Sequence, residues 1–206
     1  MPSTVLYMSM SLDGFIAGPH VRPGHGLGDG GERLHDWVLP AGEDLEDGAG
    51  AEGMARHLTG VDAEVFAELL TTGAVITGRA TFEPAQGWGG DHHDGVPIHI
   101  LSRHAKPAWA AEMAQVRYTA DLAQTVRDAK DAAGERNVLV HGSSIAQRML
   151  REGLLDEIEI HLVPVLLSGG TSLFGDLGIG PTELERLWTR EGEAGVTHLR
   201  YRVRSV

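Results

Sequence analysis

Three short clusters, each closing an apolar run, constrain this chain more than any other feature. They are Ser11-Leu12-Asp13-Gly14-Phe15-Ile16-Ala17-Gly18, then Thr77-Gly78-Arg79-Ala80-Thr81-Phe82-Glu83, then Val140-His141-Gly142-Ser143-Ser144. The runs ahead of them, residues 5–10, 74–77 and 137–140, are short and rich in Val, Ile and Leu, which predicts buried strands. Each strand therefore ends in a turn-capable residue joined to a hydroxyl or a guanidinium. Open α/β sheets hold phosphate at such ends, because glycine admits close approach and a following helix N-terminus favours an anion.

The remaining pattern predicts an α/β fold. Helices are expected over residues 33–39, 62–71 and 122–133, the last capped by Asp121, with a further helix after Ser143 and Ser144. Strands are expected at 96–101 and 115–119. The chain then changes character. Residues 157–162 and 197–203 alternate apolar and polar, which predicts half-exposed antiparallel strands, and 184–190 reads as another strand. The expected architecture is a mostly parallel central sheet flanked by helices with antiparallel C-terminal strands, in a single domain over 1–206. Glycine and proline crowd residues 18–31, predicting a long loop placed to act as a lid, and residues 40–60 read as a second, acidic loose stretch.

Charge and composition exclude several classes. A net charge of −12 argues against nucleic acid and against anionic membrane surfaces. The absence of cysteine removes disulfides, thiolate nucleophiles and cysteine-bound zinc. No signal peptide or membrane span is evident, so a cytoplasmic location is expected. Neither G-x-G-x-x-G nor the P-loop pattern occurs, nor H-E-x-x-H, nor the G-x-S-x-G elbow. No metal site is expected. His92 and His93 read as part of a solvated loop, and His161 and His198 as surface or dimer-contact residues.

Any phosphate on a ligand must then be met locally. Gly78, Arg79 and Thr81 form one candidate anion site, Ser102 and Arg103 a second, and Gly142, Ser143 and Ser144 a third. Arg79 and Arg103, at the ends of neighbouring strands, suit the phosphorylated ribose of NADPH. Asp36 is the candidate proton donor, with Trp37 and Trp88 as pocket walls.

The whole chain resembles the dihydrofolate-reductase-like superfamily, in the branch of the reductase domain of bacterial riboflavin biosynthesis. The motifs that carry the resemblance are the three clusters above, together with Leu154-Leu155-Asp156-Glu157, His161-Leu162-Val163-Pro164-Val165-Leu166-Leu167-Ser168-Gly169-Gly170 and Gly195-Val196-Thr197-His198-Leu199-Arg200-Tyr201. The resemblance implies NADPH-dependent hydride transfer to a small molecule, similar to reduction of 5-amino-6-(5-phosphoribosylamino)uracil. The alternatives are folate-type reduction and a non-catalytic nucleotide-binding protein of the same fold. By position it implies Ser9 and Ile16 near the nicotinamide and Ile145 beside the pyrophosphate with Gly142, Ser143 and Ser144. It places Asp13 on the substrate side with the two tryptophans, and it implies a homodimer. The chain departs from the family in carrying His141 where Gly is usual, and Glu83-Pro84-Ala85-Gln86 where the riboflavin reductases have an Asp-Asp-Pro segment.

Overall fold

The computed structural model describes residues 2–39, 57–193 and 195–204. Its elements are β1 (Thr4–Ser11), β2 (Phe15–Ala17), α1 (Gly60–Leu70), β3 (Ala74–Gly78), α2 (Arg79–Phe82), β4 (Ile98–Leu101), β5 (Val116–Thr119), α3 (Leu122–Ala133), β6 (Val138–His141), α4 (Ser143–Arg151), β7 (Glu157–Val163), β8 (Thr171–Ser172), β9 (Leu184–Glu191) and β10 (Thr197–Val203). The main sheet has the order β5-β4-β3-β6-β1-β7-β10-β9. All pairs from β5 to β7 are parallel, and β10 runs antiparallel to both β7 and β9. This is the mostly parallel sheet with antiparallel C-terminal strands that the pattern predicted.

The apolar runs are explained by burial on both faces. On one face Leu6, Ile76, Val140 and Ile158 pack against Val126 and Ala129 of α3 and Met149 of α4. On the other, Val5, Tyr7, Val75 and Leu139 join Phe82. Asp121 caps α3 by accepting from Gln124 N–H at 2.7 Å. The chain steps outward from β3 to β4 to β5, then returns to insert β6 between β3 and β1. That reversal puts a crevice at the carboxyl ends of β3, β6 and β1, where ligands of open sheets sit.

Four sequence expectations need correction. Residues 33–39 do not form an α-helix; a 3-10 turn covers Gly31–His35, and the chain folds over the sheet through Leu34, Trp37 and Val38. Strand β7 is not half exposed, because β1 pairs with it in parallel and α1 covers its polar face. His161 and His198 are 4% and 0% exposed, since their alternation marks a buried polar face rather than a wet one. His93 is likewise buried, at 3% exposure. The stretch expected to be loose at 40–60 lies outside the described residues up to position 56.

The glycine-rich loop is folded on itself. Asp29 takes His20 at 2.7 Å and His25 at 3.1 Å, and Gly24 N–H reaches the Pro84 carbonyl at 3.2 Å. Glycine is required at Gly28, with φ 65°, because a Cβ there would collide with the backbone of Gly18 and Pro19. A short pairing of β2 with β8, not foreseen in the sequence, closes the turn after β1.

Candidate active site

The carboxyl ends of β3, β4 and β5 and the first turn of α4 enclose a cavity of about 200 Å³ lined by Gly78, Leu101, Ser102, Arg103, Ala120, Ser144, Ile145 and Arg148. Five residues expected to hold cofactor therefore meet in one place: Gly78, Ser102, Arg103, Ser144 and Ile145. Gly78 allows this, since a Cβ there would stand 3.0 Å from Ser144 Oγ. The first N–H groups of α4 have no intrahelical carbonyl and favour negative charge. Ser102 Oγ donates to His104 carbonyl at 3.0 Å and accepts His104 N–H at 2.9 Å, fixing the turn that carries Arg103. Arg148 was not foreseen. Its signal was a cation one and a half turns into the helix that Gly142-Ser143-Ser144 opens.

Arg79 lies beside this cavity rather than in it. Its guanidinium holds Glu83 at 2.6 and 3.1 Å, and both line a second cavity of about 410 Å³ with Val21, Arg22 and Pro23 of the glycine-rich loop. That hydrogen-bonded Arg79 holds the Glu83 carboxyl below its usual range. Thr81 fixes the close approach of α2 to β6. Gly142 has φ 104°, and a Cβ there would collide with Thr81 Oγ1. The bond from His141 to Gly142 is trans, as are the others among the described residues. Ser143 begins α4 and is partly exposed.

The residues assigned to the reducing end are placed differently. Ser9 is 7% exposed, and its Oγ accepts Trp37 Nε1–H at 2.9 Å. Ile16 packs with Met8 in the core. The Asp13 carboxylate accepts from Ser11 Oγ at 2.6 Å, Ser168 N–H at 2.8 Å and Leu167 N–H at 3.1 Å. The Ser11 bond first, then those N–H groups, hold it below the usual carboxylate range. Asp13 thus ties the turn after β1 to the loop after β7. Asp36 pairs with Arg33 at 2.7 Å on a partly exposed turn.

What the sequence missed is a run of imidazoles on the β1-facing side of the crevice. Trp37 lies 4.7 Å from His161 and 5.0 Å from His198, centroid to centroid. His161 Nδ1 is 2.9 Å from His198 Nδ1, and His198 Nε2 is 2.8 Å from Asp62 Oδ1. Beyond β6, His92 Nδ1 is 2.8 Å from His93 Nδ1, and His93 Nε2 is 3.0 Å from Thr72 Oγ1. His141 lies 5.8 Å from His92, centroid to centroid, and His35 and His141 each have a buried Nδ1 without a hydrogen-bond partner. Burial pushes both down to about 4, and His35 also lowers His141. Trp88 packs on His92 and His141 at 4.8 and 5.9 Å. It does so from a left-handed turn in which Gln86 and Trp88 have φ 51° and 50°, a conformation costing a non-glycine residue about 1–2 kcal/mol. Such strain concentrates at functional sites.

The family model described as the RibD C-terminal domain matches residues 2–197. The chain belongs to the RibD C-terminal domain family. No curated protein matches the chain in sequence. Solved structures resemble this RibD C-terminal domain along its whole length. A putative riboflavin biosynthesis protein from Shewanella sp. PV-4 has 22% identity and TM-score 0.71 over 98% of this chain and 99% of its own. The RibD of Acinetobacter baumannii has 17% identity and TM-score 0.61, over 100% of this chain and 59% of its own. Dihydrofolate reductase from Enterococcus faecalis, complexed with NADP(H), has 17% identity and TM-score 0.56 over 98% and 97%. The fold is dihydrofolate-reductase-like, and the family is one of reductase domains.

Proposed function

We propose that this RibD C-terminal domain is an NADPH-dependent reductase that transfers a hydride to a carbonyl or imine carbon of a small molecule. One observation carries the reading. In a chain of net charge −12, the cavity at the β3, β4 and β5 ends gathers Arg103, Arg148, Ser102, Ser144 and a helix N-terminus. Two guanidinium groups, two hydroxyls and unpaired N–H groups fit a phosphorylated ribose and a pyrophosphate. Gly78 and Gly142 let the backbone come close to such a group. The likeness to a dihydrofolate reductase complexed with NADP(H) supports the same choice.

NADPH, when bound, supplies the hydride. The chain's residues do the rest. Arg103 and Arg148 would anchor the charged end, the first turn of α4 would orient the pyrophosphate, and Trp37 and Trp88 would exclude water from the reducing end. The substrate class supported by the family is a phosphoribosylamino-pyrimidine, as in riboflavin biosynthesis. We also propose a homodimer through the edge at β9, whose outer backbone groups need cover. Among the described residues no helix is long and apolar enough to cross a membrane.

Calorimetry with NADPH and NADH, joined to a coenzyme-oxidation assay over a panel of carbonyl and imine compounds, tests the reading. NADPH is expected to bind at least about tenfold tighter than NADH, from one charged phosphate contact. Equal affinities would remove the cofactor assignment, and binding without oxidation of any panel member would leave a nucleotide-binding protein.

A further inference from the structure

The second cavity, of about 410 Å³, has the size of a small-molecule site. It adjoins the first across the start of α2, because Gly78 lines the first and Arg79, the next residue, lines the second. A ligand whose charged end lies in the first cavity therefore leaves the second to another group. One wall of it comes from α2 and its exit, through Arg79, Glu83 and Pro84. The other comes from the glycine-rich loop, and its charged member is Arg22.

The loop wall is held in place. Arg22-Pro23-Gly24-His25 closes a turn in which His25 N–H donates to the Arg22 carbonyl at 2.9 Å. Proline second and glycine third, with φ 73° at Gly24, suit such a turn. Gly24 N–H then docks it on the Pro84 carbonyl at 3.2 Å. Arg22 is thus carried to the cavity on a fixed support. Its Nη1 donates to the His20 carbonyl at 3.0 Å and stands 3.8 Å from Asp29. Its Nε–H and both Nη2–H groups have no partner among the described residues. On the facing wall Arg79 gives Nε–H and one Nη2–H to Glu83, which leaves both Nη1–H groups.

We propose that this cavity binds a carboxylate carried by the substrate on a short apolar stem, with Arg22 and Arg79 as its anchors. The inference rests on the reductase reading and narrows the substrates to carbonyl or imine compounds that also bear a carboxylate. The free Nε–H and Nη2–H of Arg22 form the fork that takes both oxygens of such a group. Arg79 adds Nη1–H from the facing wall. Val21, Pro23, Ala80 and Pro84 give the stem an apolar lining. Charge selects a carboxylate over a phosphate monoester. The lining carries two guanidiniums and one carboxylate, a net single positive charge that a monoanion balances. A phosphate monoester, with a charge of about −2, would leave excess negative charge beside Glu83 and Asp29. A phosphoribosyl substrate is the competing occupant, and the test separates the two.

The test compares the full chain with Arg22→Gln, which removes the charge from an exposed side chain. In arginine Nε–H NMR spectra at mildly acid pH, butyrate is expected to move the Arg22 and Arg79 signals and to leave those of Arg103 and Arg148 in place. Ribose 5-phosphate is expected to act on Arg22 more weakly than butyrate. With NADPH, each carbonyl compound offered as the free acid is expected to show kcat/KM at least about tenfold above its methyl ester, the worth of one charged contact. Arg22→Gln is expected to remove that difference through KM, with kcat held within about threefold and NADPH affinity within about twofold. Butyrate that moves neither guanidinium overturns the proposal. So do ribose 5-phosphate binding more tightly at Arg22, acid and ester reduced equally, and an Arg22→Gln chain that loses acid and ester together. If NADPH fails to bind, or is oxidised with no panel member, the reductase reading falls and the substrate assignment with it. The butyrate titration then still decides whether the cavity holds a carboxylate.

Discussion

The two ends of the crevice handle polar groups in opposite ways. At the β3–β4–β5 end, arginine and serine side chains stand at a surface opening, and only Gly78 and the α4 terminus are drawn close. At the β6–β1–β7 end, polar groups are drawn into the interior, where some are paired and others, such as His141 Nδ1, are not. Under α1, Arg200 is 7% exposed and sits among Glu157 at 2.8 Å, Glu159 at 3.2 Å and Glu68. The contrast teaches that an open end can be read residue by residue, whereas a closed end works only as a set.

Breaking the closed set has the largest expected effect. Arg200→Leu leaves buried carboxylates unpaired and is expected to cost about 3–5 kcal/mol, measured by urea unfolding. A loss below about 1 kcal/mol would mean that solvent reaches this network. At the open end, Arg103→Ala and Arg148→Ala are each expected to weaken NADPH binding by about 1.5–3 kcal/mol while leaving NADH unchanged. Equal losses for both coenzymes would move the phosphate elsewhere. The junction of the two ends comes next. Gly142→Ala forces a Cβ into Thr81 at a positive φ and is expected to cost about 1–3 kcal/mol, read as a lowered melting temperature.

The pH dependence sharpens the contrast further. Burial holds His35 and His141 near 4 against the ordinary 6.5. Between those values the folded chain binds fewer protons than the unfolded one, so stability is present above pH 6.5 and is lost as pH falls toward 4. His92 and His161, pushed down by burial, add to the same limb. Glu159 behaves oppositely. Burial raises it to about 8 from 4.5, although Arg200 pulls it down. The folded chain then binds the extra proton, and this contribution to stability is lost as pH rises from 4.5 through 8. The histidines outnumber it, so maximal stability is expected near pH 6.5. Denaturation midpoints from pH 4 to 9 check this, with Glu159→Gln expected to flatten the limb above pH 6.5 and steepen the one below it. The smallest effect belongs to Asp36→Asn, which breaks a partly exposed pair with Arg33 and is expected to change stability by at most about 1 kcal/mol. A larger loss would give Asp36 a role beyond that pair.

Much of the fold was legible because its strands are buried on both faces and therefore write continuous apolar runs. Ala74-Val75-Ile76 and Val138-Leu139-Val140 are plain cases. The cavity at the β3, β4 and β5 ends was legible too, because Gly78, Ser102, Arg103 and Ser144 each stand within a few residues of such a run. The histidine end was not. Alternation at Glu157-Ile158-Glu159-Ile160-His161 is the pattern of a strand with one wet face, and nothing local says that α1 will cover that face with Asp62 and Glu68.

The sequence by itself determined the strands, the helices after them and the anion-binding turns, because each depends on residues adjacent along the chain. Only the tertiary structure decided which turns share a cavity, that Arg148 joins them, that Arg79 turns to Glu83, and that Trp37 meets His161. Those pairings join residues as many as 124 positions apart, at 37 and 161. They depend on strand order, and strand order follows from how β6 inserts between β3 and β1 to bury both of its faces.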